Sequence, residues 1–241
     1  MEKIVESHII RYFDNKDVLS KEDLMELLKN DFPTWSNNTI NTYLYKLKKN
    51  GVIDNVSRGI YTVGKIQLFT PKINNELKKI ASRIHKEFPF VTYCVWNSSW
   101  LNDLMRHQPF KNFTIVEIEK VAAEQVFNEL NSFFQNTFIN PDEIFFERYI
   151  SSLDNVIIIK NLYSEAPILK RNDLTIPTLE KILVDIVIDD TLFAAQQGEL
   201  NFMYKTAFNK YDINESKMKR YAARRNRERE VEKLINISLA K

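Results

Sequence analysis

The sequence predicts an α+β protein in two parts: a small module of three helices and a hairpin, then a mixed α/β domain with a helical C-terminus. Three observations carry that expectation. Apolar residues recur at helical spacing in three successive segments before residue 50, and two short β-branched runs flank a polar turn at 52–63. Beyond residue 70, strand-like runs alternate with helical periods until helix alone remains. The 241 residues suit two domains, expected over 1–66 and 72–241.

In the first part, Ile4, Val5, Ile9, Ile10 and Phe13 mark an amphipathic helix, and residues 15–19 break its pattern. Ser20 with Glu22 and Asp23 is an N-cap with acids in the first turn. Leu24, Leu27 and Leu28 form the buried stripe of this second helix, which Phe32-Pro33 ends. The third helix opens at Ser36, buries Ile40, Tyr43, Leu44 and Leu47, and closes at Asn50-Gly51. Its polar face holds asparagines, threonines, Tyr45 and lysines and not one Asp or Glu. Val52-Ile53, a turn over 54–59 containing Arg58, and a run over 60–63 then make a two-stranded wing.

Three helices followed by a hairpin, with the amide-rich and basic face on the third helix, match a winged helix-turn-helix. Asn pairs bidentately with adenine and Lys reaches phosphate, whereas phosphate repels Asp and Glu. On that logic Asn37, Asn38, Asn41, Thr42 and Lys46 are expected to meet a major groove of double-stranded DNA, while Lys48, Lys49 and Arg58 grip phosphates. A solvated bundle face, or a winged helix that docks a protein partner, has the same composition. Acids of this segment, among them Glu2, Glu6, Asp14, Asp17, Glu22, Glu26 and Asp31, offset its lysines, so binding is expected to rely on a local stripe and on a homodimer on DNA.

In the second part, a polar junction at 65–72 precedes a helix over 74–87 with Leu77, Ile80, Ala81 and Ile84 inward. A buried strand over 90–96 leads through Asn97-Ser98-Ser99 into a helix over 100–107, a strand-turn-helix of α/β type. Further strands fall at 113–119 and 155–160, with a helix over 122–135 between them. From residue 178 the chain reads as helix: 178–188, 191–198, 200–209 and one long helix over 214–238.

Three stretches carry a family resemblance: Arg58-Gly59-Ile60-Tyr61, the run from Pro177-Thr178-Leu179-Glu180 to Asp185, and Ala222-Ala223-Arg224-Arg225-Asn226. In this order the chain resembles the AbiEi-type antitoxins of type IV toxin-antitoxin, or abortive-infection, systems, in an uncharacterised bacterial branch. The resemblance implies a transcriptional repressor whose winged helix binds inverted repeats in its own promoter. It also implies an antitoxic C-terminal domain, paired in function with a nucleotidyltransferase-like toxin that it need not touch.

Composition excludes several classes. Four glycines leave no room for Gly-rich phosphate loops, and one cysteine, Cys94, cannot form an internal disulfide or build a zinc site with His8, His85 and His107. The N-terminus lacks the apolar run of a signal peptide, and no stretch approaches a membrane span, so a cytoplasmic protein is expected. No cofactor, metal or catalytic residue is expected. Asp185, Asp189 and Asp190 hint at a metal pair, but helix capping explains them more simply. Asp142, Glu147 and Lys160 lack the Glu-x-Lys strand step of a nuclease. Cys94 within an apolar run reads as an inert thiol.

Residues 205–241 hold eleven Lys and Arg against five acids. Lys217, Arg220, Arg224, Arg225 and Arg227 are therefore candidates for contact with nucleic acid or a protein partner, though Glu228, Glu230 and Glu232 could instead pair with them on a solvated face. The competing functional reading is a non-catalytic interaction protein of a defence complex.

Overall fold

A computed structural model describes residues 2–13, 16–49, 51–64, 68–171 and 173–239, with the side chains of 2–4 and 7 excepted. The side chain of Ile4, the helix-closing Asn50 and the first junction residues at 65–67 therefore lie outside the described residues. The chain is α+β, with helices at both ends, and divides into two units: Met1–Phe69 with Phe208–Asp212, and Thr70–Ala207 with Ile213–Lys241.

In the first unit, α1 (Glu2–Tyr12) presents Val5 and Ile9 to the core at i, i+4 spacing. Strand β1 (Leu19–Ser20), which periodicity did not reveal, leads directly into α2 (Lys21–Asp31). Ser20 closes a reciprocal capping box: its hydroxyl accepts from the Asp23 N–H at 3.0 Å and its own N–H donates to the Asp23 carboxylate at 3.1 Å. α3 (Asn37–Lys49) is capped by the Ser36 hydroxyl, which accepts from the Thr39 N–H at 3.1 Å. It stops where Gly51 turns to a φ of +69°, a backbone that side chains with a Cβ rarely adopt. β2 (Ile53–Ser57) and β3 (Ile60–Val63) are antiparallel, and β1 adds to β3, giving the order β1-β3-β2. Fully buried Val5, Ile9, Leu24, Leu28, Ile40 and Ile53 form one core with Leu19 of β1, and Tyr61 and Val63 of β3 pack against it. Each such side chain stabilises by about 1.5–3 kcal/mol.

In the second unit, Asn74 caps α4 (Asn75–Glu87) by accepting from the Leu77 N–H. β4 (Tyr93–Asn97) and β5 (Thr114–Ile118) are antiparallel. The segment between them, expected as a helix over 100–107, is a 3-10 helix over Ser98–Leu104. α5 (Ala123–Asn131) is shorter than the expected 122–135, because the chain turns at 132–136 into β6 (Thr137–Ile139). Next come α6 (Glu143–Phe145), a π-helical turn over Phe146–Ile150, and β7 (Ile157–Asn161). β7 lies between β5 and β6 and is parallel to both, so the sheet order is β4-β5-β7-β6. A hairpin follows, β8 (Ile168–Arg171) and β9 (Leu174–Pro177), where no strand was expected.

α7 (Leu179–Ile188) is buried over eight consecutive residues, 179–186, including Glu180, Lys181 and Asp185. A helix buried on all sides belongs to the core of a layered domain. Of the expected 191–198 helix only α8 (Ala194–Gln197) forms, followed by α9 (Leu200–Lys210). The long helix expected over 214–238 is two helices, α10 (Glu215–Arg224) and α11 (Glu228–Leu239). The break is at Asn226, whose φ of +56° suits Asn better than most residues. The corner lets both helices pack on α7, which one straight rod could not do. No helix among the described residues is long and apolar enough to cross a membrane.

Candidate nucleic-acid interface and a polar cavity

The core of α3 is Ile40, Leu44 and Leu47, and the helical repeat sets what lies opposite. That opposite stripe is Asn38, Thr42, Tyr45 and Lys49, at i, i+4, i+7 and i+11, and all four are exposed. Tyr45, 68% exposed, lies on the polar face as the sequence predicts, but is not among the residues expected to contact DNA. Asn37, Asn41 and Lys48 flank the stripe on one side. Lys46 stands on the other, roughly 140° around the axis from Asn41. The eight predicted contact residues therefore do not share one narrow face.

Local contacts order this surface. The Thr42 hydroxyl donates to the Asn38 carbonyl at 2.9 Å. Phe32, Trp35 and Tyr43 stack in series at 4.4 Å centroid spacings, and the Lys46 ammonium sits 5.5 Å from the Tyr43 ring centre. Arg58 is exposed at the hairpin tip beside Gly59, whose φ is +78°. The Lys21 N–H donates to the Gly59 carbonyl at 2.8 Å, fixing the tip to the start of α2. Between α1 and the end of α2, Asp31 accepts from the Tyr12 hydroxyl and pairs with His8, each at 2.5 Å. Those hydrogen bonds hold its carboxyl below the ordinary range.

The C-terminal cations do not form one basic surface. Arg225 turns inward: its Nη1 donates to Asp185 Oδ1 and to the Tyr221 hydroxyl, each at 2.8 Å. Arg224 pairs with Glu165, Lys217 with Glu180 at 3.9 Å, and Arg227 with Glu230 at 3.6 Å. Arg220 is exposed on α10.

Sequence reading passed over the most highly organised polar site of the second unit. In the β4-β5-β7 register Cys94, Glu117 and Lys160 lie side by side, so all three face the same way from the sheet. α7 brings Lys181 onto them. Its buried ammonium meets both Glu117 oxygens at 2.5 and 2.6 Å and Asp185 Oδ2 at 2.5 Å. Burial pulls that ammonium down, but the Asp185 and Glu117 carboxylates outweigh it and hold Lys181 well above the usual lysine range. Glu117 also accepts from the Trp96 indole N–H at 3.1 Å, and Asp185 from the Tyr221 hydroxyl at 2.9 Å. Asp189 caps α7, accepts from the Leu192 N–H at 3.2 Å, and pairs with Lys160.

Asp189 thus has the capping role expected of it, whereas Asp185 is the centre of a buried ionic network. Asp142 caps α6, Glu147 is exposed on the π-helical turn, and Lys160 pairs with Asp189, so the three residues weighed as a nuclease set have separate roles. Cys94 is buried, its thiol pushed up chiefly by burial. His107 pairs with Glu199 at 2.7 Å and His85 is exposed at the end of α4. Among the described residues no group of three or more His, Cys, Asp or Glu is arranged to hold a metal ion. The network lines a cavity of about 320 Å³, with Trp96, Asn140, Asn161, Tyr163 and Phe193 among its walls.

The chain belongs to DUF6577, a family of unknown function, whose sequence pattern matches residues 39–241. The match begins within α3 and runs through the whole second unit. No curated protein matches the chain.

Proposed function

We propose that this protein is a cytoplasmic DNA-binding regulator, its first unit a winged helix-turn-helix that inserts α3 into the major groove and lays the β2-β3 wing along the backbone. The observation that supports it best is the exposed, acid-free stripe Asn38, Thr42, Tyr45 and Lys49, opposite the α3 core. Amide and hydroxyl groups on that stripe read base edges, and Lys49, Lys48 and Arg58 meet phosphates. The resemblance to AbiEi-type antitoxins extends the reading to a homodimeric repressor of its own promoter, paired with a nucleotidyltransferase-like toxin encoded beside it.

The test is binding of the full chain to its own upstream DNA against a shuffled duplex, over a salt series. Wild type is expected to prefer its own DNA and to lose affinity steeply with salt through counterion release. Asn38→Ala with Thr42→Ala reduces the preference, by about 1–3 kcal/mol for each bidentate pairing with a base that the substitutions abolish. Lys49→Ala weakens both duplexes alike and lowers the salt slope by about one. Equal affinity for the two duplexes, or stripe variants indistinguishable from wild type, overturns the proposal in favour of a protein-docking module. Rescue of cells from the neighbouring toxin by the intact chain tests the antitoxin extension.

A further inference from the structure

The cavity of the second unit has a construction that DNA binding does not use. Its lining holds three carboxylates, Glu117, Asp185 and Asp189, and two cations, Lys160 and Arg225, with the fully buried Lys181 behind them, every one engaged in an ion pair with another. The array is electrically neutral. A charged ligand would bring an unbalanced charge into a largely desolvated site, at a cost of several kcal/mol, whereas an uncharged one would not.

The hydrogen-bonding capacity left over is of a different kind. Asn140 and Asn161 stand at the carboxyl ends of the adjacent strands β6 and β7, and neither amide makes a side-chain hydrogen bond among the described residues. Each presents a donor and an acceptor side by side. Asn140 is held at a φ of +40°, its N–H donating to the Ile159 carbonyl at 2.8 Å, which fixes where that amide begins. The Arg225 guanidinium lies 3.8 Å from the centre of the Tyr163 ring, and together they make a flat wall. Ile115, Ile188 and Leu192 supply apolar surface in the same cavity.

The site also lies where an open sheet with parallel strands favours ligands, at the carboxyl ends of β5, β6 and β7. Its volume, about 320 Å³, is at the small end of ligand pockets. We infer that this cavity binds an uncharged planar heterocycle of the nucleobase class, as the free base or nucleoside, through Asn140 and Asn161 and against the Tyr163–Arg225 wall. Paired donors and acceptors on the rim of such a ring suit Asn side chains as they suit them on a base edge.

The experiment is calorimetric titration of the full chain with adenosine, guanosine, cytidine and uridine in turn, and separately with inorganic phosphate and with Mg²⁺ alone. At least one nucleoside is expected to bind saturably, with an affinity insensitive to salt because no net charge moves. Asn161→Ala and Tyr163→Ala are each expected to weaken it about tenfold or more. Both positions are at least partly exposed, and circular dichroism establishes that the variants fold. If either does not, Asn140→Gly, which tolerates the positive φ, probes the same slot from β6. Absence of binding by all four nucleosides overturns the inference, as does binding of phosphate or Mg²⁺ only, or nucleoside affinity unchanged in the folded variants. These residues are not in the first unit, so failure here leaves the DNA-binding result untouched, and the reverse.

Discussion

Substituting Lys181 by Met removes one charge from the centre of the second unit while nearly keeping its volume. The ammonium is fully buried and is the only ion-pair partner of Glu117 among the described residues, whereas Asp185 keeps the Tyr221 hydroxyl and the Arg225 guanidinium. The loss therefore falls on Glu117, left buried with the Trp96 N–H and a weak Cys94 S–H interaction at 3.7 Å. Removing one partner of a buried ion pair costs about 3–5 kcal/mol, mostly as the uncompensated charge. Lys181→Met is expected to cost that much, and Glu117→Gln added to it to restore at least half, since the orphaned charge disappears. The assay is urea unfolding followed by tryptophan fluorescence in a Trp35→Phe background, which leaves only Trp96 and Trp100, both in the second unit. A loss below about 1 kcal/mol for the single variant, or a double variant no more stable than the single one, refutes the argument that the pair is both charged and desolvated.

Other perturbations test separate parts of the chain. Ser20→Ala breaks the side-chain half of the α2 capping box and is expected to destabilise the first unit by about 1 kcal/mol in denaturant titration. Asn226→Ala places a Cβ-bearing residue without a local amide at φ +56° and is expected to cost about 1 kcal/mol, while Asn226→Gly stays close to wild type; equal stability of the two variants refutes the corner argument. Asp31 has a folded pKa depressed by its bonds from Tyr12 and His8, so it contributes stability above the ordinary carboxylate range, near pH 4, that is lost as pH falls through the depressed value. Melting temperature against pH is thus expected to fall less steeply on the acid side for Asp31→Asn than for wild type, and parallel acid limbs count against the cluster.

Legibility in the sequence followed the range of the forces involved. α1, α2 and α3 were readable because each combines an apolar stripe with local start or stop signals within a dozen residues, as Ser20, Leu24 with Leu28, and Phe32-Pro33 do for α2. β4, β5 and β7 stood out as β-branched or aromatic runs. β6 did not, because three residues are too few for a period of two to register. The corner at Asn226 was hidden inside a run whose composition favours helix on both sides; only packing of α10 and α11 on α7 demands it. The cavity was the least legible feature. Glu117, Lys160, Lys181 and Arg225 lie as much as 108 positions apart in sequence, and the sheet register with the crossing of α7 brings them together. One signal was present: beyond Glu180 in its first turn, only Lys181 and Asp185, at i, i+4, interrupt the apolar run of α7, and two opposite charges within such a run belong in a core only if each is paired.

That interruption bears on why the second unit is built as it is. A buried ionic cluster is a poor device for stability, since well-packed apolar side chains of similar volume are often as good or better. Here the same ions that neutralise one another also shape the wall of an open cavity: Asp185 orients Arg225 against Tyr163, and Asp189 holds Lys160 at the end of β7. Replacing the cluster by leucines would keep a core but remove the flat cationic wall and the fixed polar floor. The physical account of Glu117, Lys181 and Asp185 is therefore positional. They hold in place, in a neutral and rigid array, the groups that face the cavity, just as the Phe32–Trp35–Tyr43 stack ties α3, which carries the first unit's exposed stripe, to the end of α2. Each unit commits its unusual side-chain chemistry to supporting one surface.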